Sequence, residues 1–143
     1  MKQFLFIAAV LVIMFSSVSY AGEIAIIANR EYPVNTISTH ILREIYFGEK
    51  AMEGNIRIRP FDQRSREIRK KFLTKVLGVS EDGYNAYWIK KVFQEGGISP
   101  VMKSSSDEVI RTVKEEDGGI GYIWKHEGGA SGIKVLLTVD VGD

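Results

Sequence analysis

The first half of the chain carries apolar and polar patterns that predict a strand, a helix and a second strand. The run Glu23–Asn29 is short, apolar and rich in isoleucine, which is typical of a buried strand. From Ser38 to Gly48 the apolar residues recur at helical spacing, with a serine placed to begin the helix and a glycine placed to end it. Between Asn55 and Phe61 apolar and basic residues alternate, which predicts a half-buried strand.

Three helices are predicted in the middle of the chain. The first is amphipathic, ends at Gly78, and has one apolar face: Ile68, Phe72, Val76 and Leu77. Ser80 begins the second, which Gly96 and Gly97 end and which carries an aromatic stripe: Tyr84, Tyr87, Trp88 and Phe93. Helical spacing favours core packing for this stripe over a ligand platform. After a loop through Pro100, serines 104–106 offer an N-cap for the third helix.

Two strands close the pattern, at Ile120–Trp124 and Ile133–Val139. The order of elements is therefore β-α-β-α-α-α-β-β. Strands that alternate with helices predict an α/β domain, in which a mixed β-sheet is flanked by helices on both faces.

The N-terminus has the features of a secretory signal. Lys2 precedes an apolar run of twelve residues, Phe4–Phe15, and the small residues Ser19 and Ala21 stand where a signal peptidase needs them. A permanent membrane anchor needs about 20 apolar residues, so an uncleaved anchor is the weaker alternative. We therefore expect a signal peptide at residues 1–21, a single domain at 22–143, and a periplasmic or otherwise secreted protein after cleavage near Ala21.

The composition of the 143-residue chain excludes several kinds of functional site. There is no cysteine, which excludes disulfides, a thiol nucleophile and cysteine-ligated metals. The formal net charge of +1 gives no reason to expect a nucleic acid. His40 and His126 are far apart and lack metal-ligand spacing, and no catalytic motif is present. We expect no metal, no cofactor and no enzymatic activity.

The segment from Arg57 to Lys75 is the most unusual, with eight basic and two acidic side chains. Arg64 and Arg66 flank Ser65 at the predicted start of a helix, where the helix dipole disfavours cations by about 0.3–1 kcal/mol each. A bound anion would offset this, because backbone N–H groups and arginine forks suit phosphate or carboxylate. The alternative is that Asp62 and Glu67 neutralise the turn and that the remaining charges are solvated.

Four stretches together resemble a known family: Ser38–Gly48, Asn55–Arg66, Tyr87–Trp88 and Gly118–Tyr122. They are similar to the second lobe of the periplasmic phosphate-binding proteins of ABC transporters, in the type II solute-binding superfamily. The resemblance runs from about Glu23 to Val139. It implies the fold of one lobe of such a protein and the binding of phosphate or another anion.

The phosphate loop of that family is only partly retained. Ser65 lies at the family's loop serine, whereas its glycines become Arg64 and Arg66 and its threonine becomes Glu67. The family's loop aspartate falls at Gln63, with Asp62 one place earlier. We therefore take the anion-binding site to be four residues: Asp62, Arg64, Ser65 and Arg66.

Two functions follow as expectations. The first is an exported phosphate- or anion-binding protein, similar to the substrate-binding component of phosphate ABC transporters. The second is an interaction module that has kept the fold and lost the ligand, and whose basic helix, Arg64–Lys75, docks a membrane-bound receptor, sensor or transporter. Only one lobe fits into the chain, so a partner or a second copy would be needed to close the site. Self-association therefore stays an alternative.

Overall fold

The computed structural model describes residues 22–129 and 132–142. The predicted signal peptide lies outside them. The described elements are β1 (Glu23–Asn29), α1 (Thr39–Tyr46), β2 (Met52–Glu53), β3 (Ile56–Arg57), β4 (Arg59–Gln63), α2 (Arg66–Lys71), α3 (Glu81–Glu95), β5 (Val101–Lys103), α4 (Ser106–Glu115), β6 (Gly119–Trp124) and β7 (Ile133–Asp140). A π-helical turn, Phe72–Val76, continues α2, and a 3₁₀ turn, Lys125–Glu127, follows β6.

Five strands form one mixed sheet in the order β5-β4-β6-β1-β7. β1 pairs antiparallel with both β6 and β7, whereas β4 pairs parallel with both β5 and β6. Because β1 has a neighbour on each side and is covered on both faces, every residue of Ile24–Ala28 is at most 1% exposed. This explains why β1 reads as a continuous apolar run rather than as an alternating one.

Helices cover both faces of the sheet, as the sequence predicted. On one face α1, α2 and α3 bury the larger core, which includes Leu42, Ile68 and Trp88. On the other face α4 buries Val109 and Val113 against the second face of β1. The sheet is thus the middle layer of an α/β sandwich.

Serines and glycines set the helix boundaries where the sequence predicted them. The hydroxyls of Ser38, Ser80 and Ser105 accept backbone N–H groups of the first turns of α1, α3 and α4. Gly48 and Gly96 follow the ends of α1 and α3 with φ of 72° and 66°. These left-handed conformations carry no steric cost for glycine, so the helices end there.

The segment predicted as one strand at Asn55–Phe61 is two strands. β3 pairs with β2 across a turn at Gly54, and Ile58 then separates β3 from β4. Ile58 is buried and its N–H donates to Ala51 O at 2.9 Å, which ends the hairpin before the chain joins the main sheet. The alternating pattern predicted extended backbone correctly, but it did not show the change of pairing partner.

The sequence also gave no sign of β5. Its three residues are too few to display alternation, and they stand directly after the loop through Pro100. The strand exists because β4 offers it a parallel partner, in the register Phe61 to Val101. Tertiary pairing therefore decides this element, not local propensity.

The aromatic stripe of α3 holds the carboxyl end of α1. Tyr84 Oη and Trp88 Nε1 both donate to Tyr46 O, at 2.8 and 3.1 Å. Tyr87 Oη donates to Phe47 O at 2.6 Å. The last carbonyls of a helix lack partners within it, so these donors satisfy groups that burial would otherwise leave unpaired.

Core packing of the stripe is thus confirmed for Tyr84 and Trp88, which are 2% and 6% exposed. It is wrong for Phe93, which is 85% exposed. Phe93 lies on the outer side of α3, roughly opposite Trp88 on the helical wheel, where no element of the described chain covers it.

Four buried tyrosines predict a loss of stability in alkali. Burial is the largest cause that raises the pKa of each above its usual value near 10: Tyr32, Tyr46, Tyr84 and Tyr122. As the pH rises, the unfolded chain loses these protons before the folded chain does. The four tyrosines therefore give their full contribution to stability below pH 10, and that contribution is lost as the pH rises above 10. We expect the free energy of unfolding, measured in urea, to fall progressively as the pH rises above about 10.

The variant Tyr84→Phe provides the matched comparison. It should lower stability at pH 7 by about 1 kcal/mol, because the hydrogen bond to Tyr46 O is lost. Its decline above pH 10 should be shallower than that of the unsubstituted chain, because one titrating group is gone. Parallel pH profiles for the two proteins would contradict the assignment of the decline to buried tyrosines.

Candidate functional site

The loop after β4 carries three of the four residues that the sequence singled out. β4 ends at Gln63, Arg64 and Ser65 follow, and α2 begins at Arg66. Arg64 N donates to Lys103 O at 2.9 Å, which extends the pairing of β4 and β5 to their carboxyl ends. The side chains of Arg64, Ser65 and Arg66 are all exposed there.

This loop lies at the carboxyl edge of the sheet, at a switch point in the connections of β4 and β5. α2 and α3 connect β4 to β5 and cover one face of the sheet, whereas α4 connects β5 to β6 and covers the other. The chain therefore leaves the neighbouring strands β4 and β5 toward opposite faces. In open α/β sheets such switch points at the carboxyl ends of strands are where ligands bind.

On the β4 side of this edge, the positive charges of Arg64 and Arg66 are not neutralised. Within residues 22–129 and 132–142, no carboxylate lies within ion-pair distance of Arg64 or Arg66. Ser65 is the N-cap residue of α2, but its side chain makes no capping hydrogen bond. Two guanidinium groups and a hydroxyl are thus available to an external acceptor.

On the β5 side of this edge, a glutamate carboxylate neutralises the nearby positive charge. Glu108, in the first turn of α4, accepts Ser104 N at 2.7 Å and lies 3.8 Å from Lys103 Nζ. The hydrogen bond from the Ser104 backbone is the largest cause that lowers the pKa of Glu108. This side is therefore close to neutral, and the net positive charge lies at Arg64 and Arg66.

The structure places Asp62 apart from the other three residues. Its side chain is buried, and its carboxylate accepts Gln63 N at 2.8 Å and the hydroxyl of Tyr122. Arg69 Nε lies 3.1 Å from Oδ2 and 3.3 Å from Oδ1, so an ion pair completes the set of partners. Because both oxygens have internal partners and the residue is only 2% exposed, Asp62 holds the end of β4 and does not face a ligand.

Gln63 continues this polar network toward α4. Its Nε2 donates to Tyr122 O at 2.7 Å and to Ser106 Oγ at 3.2 Å. Ser106 Oγ in turn donates to Glu127 Oε1 at 2.8 Å. These hydrogen bonds link the carboxyl ends of β4 and β6 to the start of α4.

Sequence reasoning missed Lys103, Ser104 and Glu108, because it missed β5. The signal that could have found them is the pattern of serines followed three residues later by Glu108, which is a capping box next to an extended segment.

In the part of the chain that the structure describes, no group of three metal-ligating side chains occurs. No helix in that part is long and apolar enough to cross a membrane.

Several solved structures share this fold. An ABC-type phosphate transport receptor from Vibrio cholerae matches with a TM-score of 0.62 and 15% identity, over 80% of this chain and 45% of the receptor. A putative phosphate ABC transporter substrate-binding protein with bound phosphate, from Clostridium perfringens, gives 0.64 and 15%, over 80% and 44%. PstS from Borrelia burgdorferi gives 0.59 and 16%, over 80% and 46%.

These matches confirm the fold class that the sequence predicted: the chain has the fold of one lobe of a periplasmic binding protein. It spans a little under half the length of the structures it matches. No family model and no curated protein matches the sequence.

A substitution at Asp62 tests its internal role. We expect Asp62→Asn to lower the free energy of unfolding by about 1–3 kcal/mol, because an amide group cannot accept all the donors that the buried carboxylate accepts from Gln63, Tyr122 and Arg69. Urea unfolding monitored by circular dichroism measures the change. Glu67→Gln, an exposed position in α2, is the control and should change stability by less than about 0.5 kcal/mol. Equal stability of the two variants would contradict the role given to Asp62.

Proposed function

We propose that the chain is an exported binding protein for phosphate or a similar small inorganic anion. The observation that carries the proposal is the placement of two exposed, unpaired arginines at the switch point beyond the carboxyl end of β4. An exported location rests on the predicted signal peptide. A binding role rather than catalysis agrees with the receptors that share the fold.

Each residue of the proposed site has a distinct task. The Arg64 and Arg66 guanidinium groups donate charge-assisted hydrogen bonds to the anion, and Ser65 adds its hydroxyl. Asp62 acts as a positioning residue, because it ties Tyr122 and Arg69 to the end of β4 and so fixes the loop. Phosphate oxygens accept several donors at once, which suits two planar guanidinium groups together with a hydroxyl.

The described residues contact an anion at this edge from one side. The match to the receptor from Vibrio cholerae covers about 45% of that receptor. Fewer contacts and less burial give weaker binding than an enclosed site would. A transporter component or a second copy that covers Arg64 and Arg66 would increase the affinity.

The second candidate is docking through the basic helix to an acidic surface of a membrane-bound receptor, sensor or transporter. It is favoured by the exposure of Arg66, Lys70 and Lys75, none of which has an ion pair among the described residues. Docking of this kind weakens as the salt concentration rises, because surface charges are screened over about 10 Å at 0.1 M. Binding of phosphate at fixed ionic strength separates the two candidates.

The charge-reversed variant Arg64→Glu/Arg66→Glu tests the anion site. In the unsubstituted chain, phosphate at a hundred times its dissociation constant should add about 2.7 kcal/mol of stability and raise the thermal midpoint by about 10 °C. The variant should lose this shift and keep its fold, because both side chains are exposed. Differential scanning fluorimetry with phosphate, and with chloride at equal ionic strength, measures both.

The matched control is Lys70→Glu/Lys75→Glu, which makes the same charge change on exposed residues farther along the helix. It should keep the response to phosphate. Loss of the response in both double variants would mean that general charge, not the loop, attracts the anion. No response in the unsubstituted chain, or an equal response to chloride, would reject the anion proposal and favour docking.

A further inference from the structure

A cavity of about 270 Å³ lies at the edge of the sheet opposite the proposed anion site. The starts of β4 and β5, the C-terminal turns of α3 and the segment between α3 and β5 surround it. Arg59 begins β4 and lines the cavity, whereas Arg64 follows the end of β4. Five residues of extended strand separate the two by about 16 Å, so the two places are distinct.

Positive charge dominates this cavity. Four cationic residues line it: Lys50, Arg57, Arg59 and Lys91. Among the described residues that line it, none is acidic. Lys50 pairs with Glu53 at 3.3 Å, and Lys91 is occupied at the carboxyl end of α1. This leaves Arg57 and Arg59, both exposed and without an ion pair in the described chain, as charges that a ligand could neutralise.

The other walls are apolar and include a fixed aromatic ring. Trp88 lines the cavity with Pro60 and Ile98, and its Nε1 is held by Tyr46 O at 3.1 Å. Gly48 permits this placement, since a Cβ there would lie 2.7 Å from Trp88 Cη2. An inorganic anion gains nothing from apolar walls, whereas a ligand with a ring buries apolar surface against them.

We infer that this cavity binds a small amphipathic organic anion. Its carboxylate or phosphate group lies at Arg57 and Arg59, and its ring lies against Trp88 and Ile98. An apolar cavity of about 150 Å³ holds one benzene molecule, so 270 Å³ accommodates a single ring together with its anionic group. The inference does not rest on the binding of phosphate at Arg64 and Arg66.

Tryptophan fluorescence gives a direct test. The chain has two tryptophans, so Trp124→Phe leaves Trp88 as its only fluorophore of that kind. Phenyl phosphate and benzoate should each change its emission saturably, whereas inorganic phosphate at the same ionic strength should not. If Trp124→Phe does not fold, the amide NMR signals of Gly96 and Gly97, which line the cavity, serve as the readout in the unsubstituted chain.

Two pairs of variants test the placement. Arg57→Gln/Arg59→Gln should weaken phenyl phosphate binding by at least about tenfold, because charge-assisted hydrogen bonds are lost. Arg64→Gln/Arg66→Gln should leave it unchanged. Ile98→Glu puts a negative charge at the cavity and should abolish binding, whereas Phe93→Glu, an equally exposed residue that does not line it, should not. Unchanged thermal midpoints confirm that these variants fold.

Three results would overturn the inference. The first is no saturable response to either organic anion. The second is an equal response to inorganic phosphate, which would show that the apolar walls are not used. The third is an equal effect of the Ile98 and Phe93 variants, or of the two arginine pairs, which would place binding elsewhere. If phosphate does not bind at Arg64 and Arg66, each of these outcomes can still be interpreted.

Discussion

The buried carboxylate of Asp62 is the interaction on which the site end of the molecule depends. A charge removed from water is costly unless it is paired and hydrogen-bonded, and here Arg69, Tyr122 and a backbone N–H meet that requirement together. These partners come from α2, β6 and the last residue of β4. Since moving any of them would leave the buried carboxylate short of a partner, the network holds the end of β4, the end of β6 and the start of α2 together.

The π-helical turn after α2 belongs to the same arrangement. Its first residue, Phe72, stacks on Tyr122 with ring centroids 3.8 Å apart, and Tyr46 meets Phe72 edge to face at 4.8 Å. The Leu77 N–H reaches back to Phe72 O, which widens the helix by one residue. The aromatic contacts and the ion pair of Arg69 thus anchor the same short helix at successive turns.

Much of the fold could be predicted because its signals are local. Isoleucines in succession marked β1, and Ser38, Ser80 and Gly96 marked helix ends through their own backbone preferences. The missing parts are those that distant residues decide. β5 needs β4 as a partner, and the exposure of Phe93 depends on which elements happen to cover α3.

The candidate site stays a prediction, and the structure changes the role of one of its residues. Two arginines that flank Ser65 at a strand-to-helix junction are visible in the sequence, and the structure leaves Arg64 and Arg66 exposed. The internal use of Asp62 was not visible, because Tyr122 lies sixty residues later. The sequence showed Arg69 as one cation among many, although as the fourth residue of α2 it lies close enough to the end of β4 to pair with Asp62.

The central place of β1 in the sheet has a consequence for the order of folding. This strand is the first part of the domain to be synthesised, yet its two partners, β6 and β7, lie about a hundred residues later. Contacts of such long sequence separation form slowly, because a large loop must close before they are made. The sheet therefore cannot be completed until synthesis has passed β7, so the two halves of the sheet come together only after nearly the whole domain has been made.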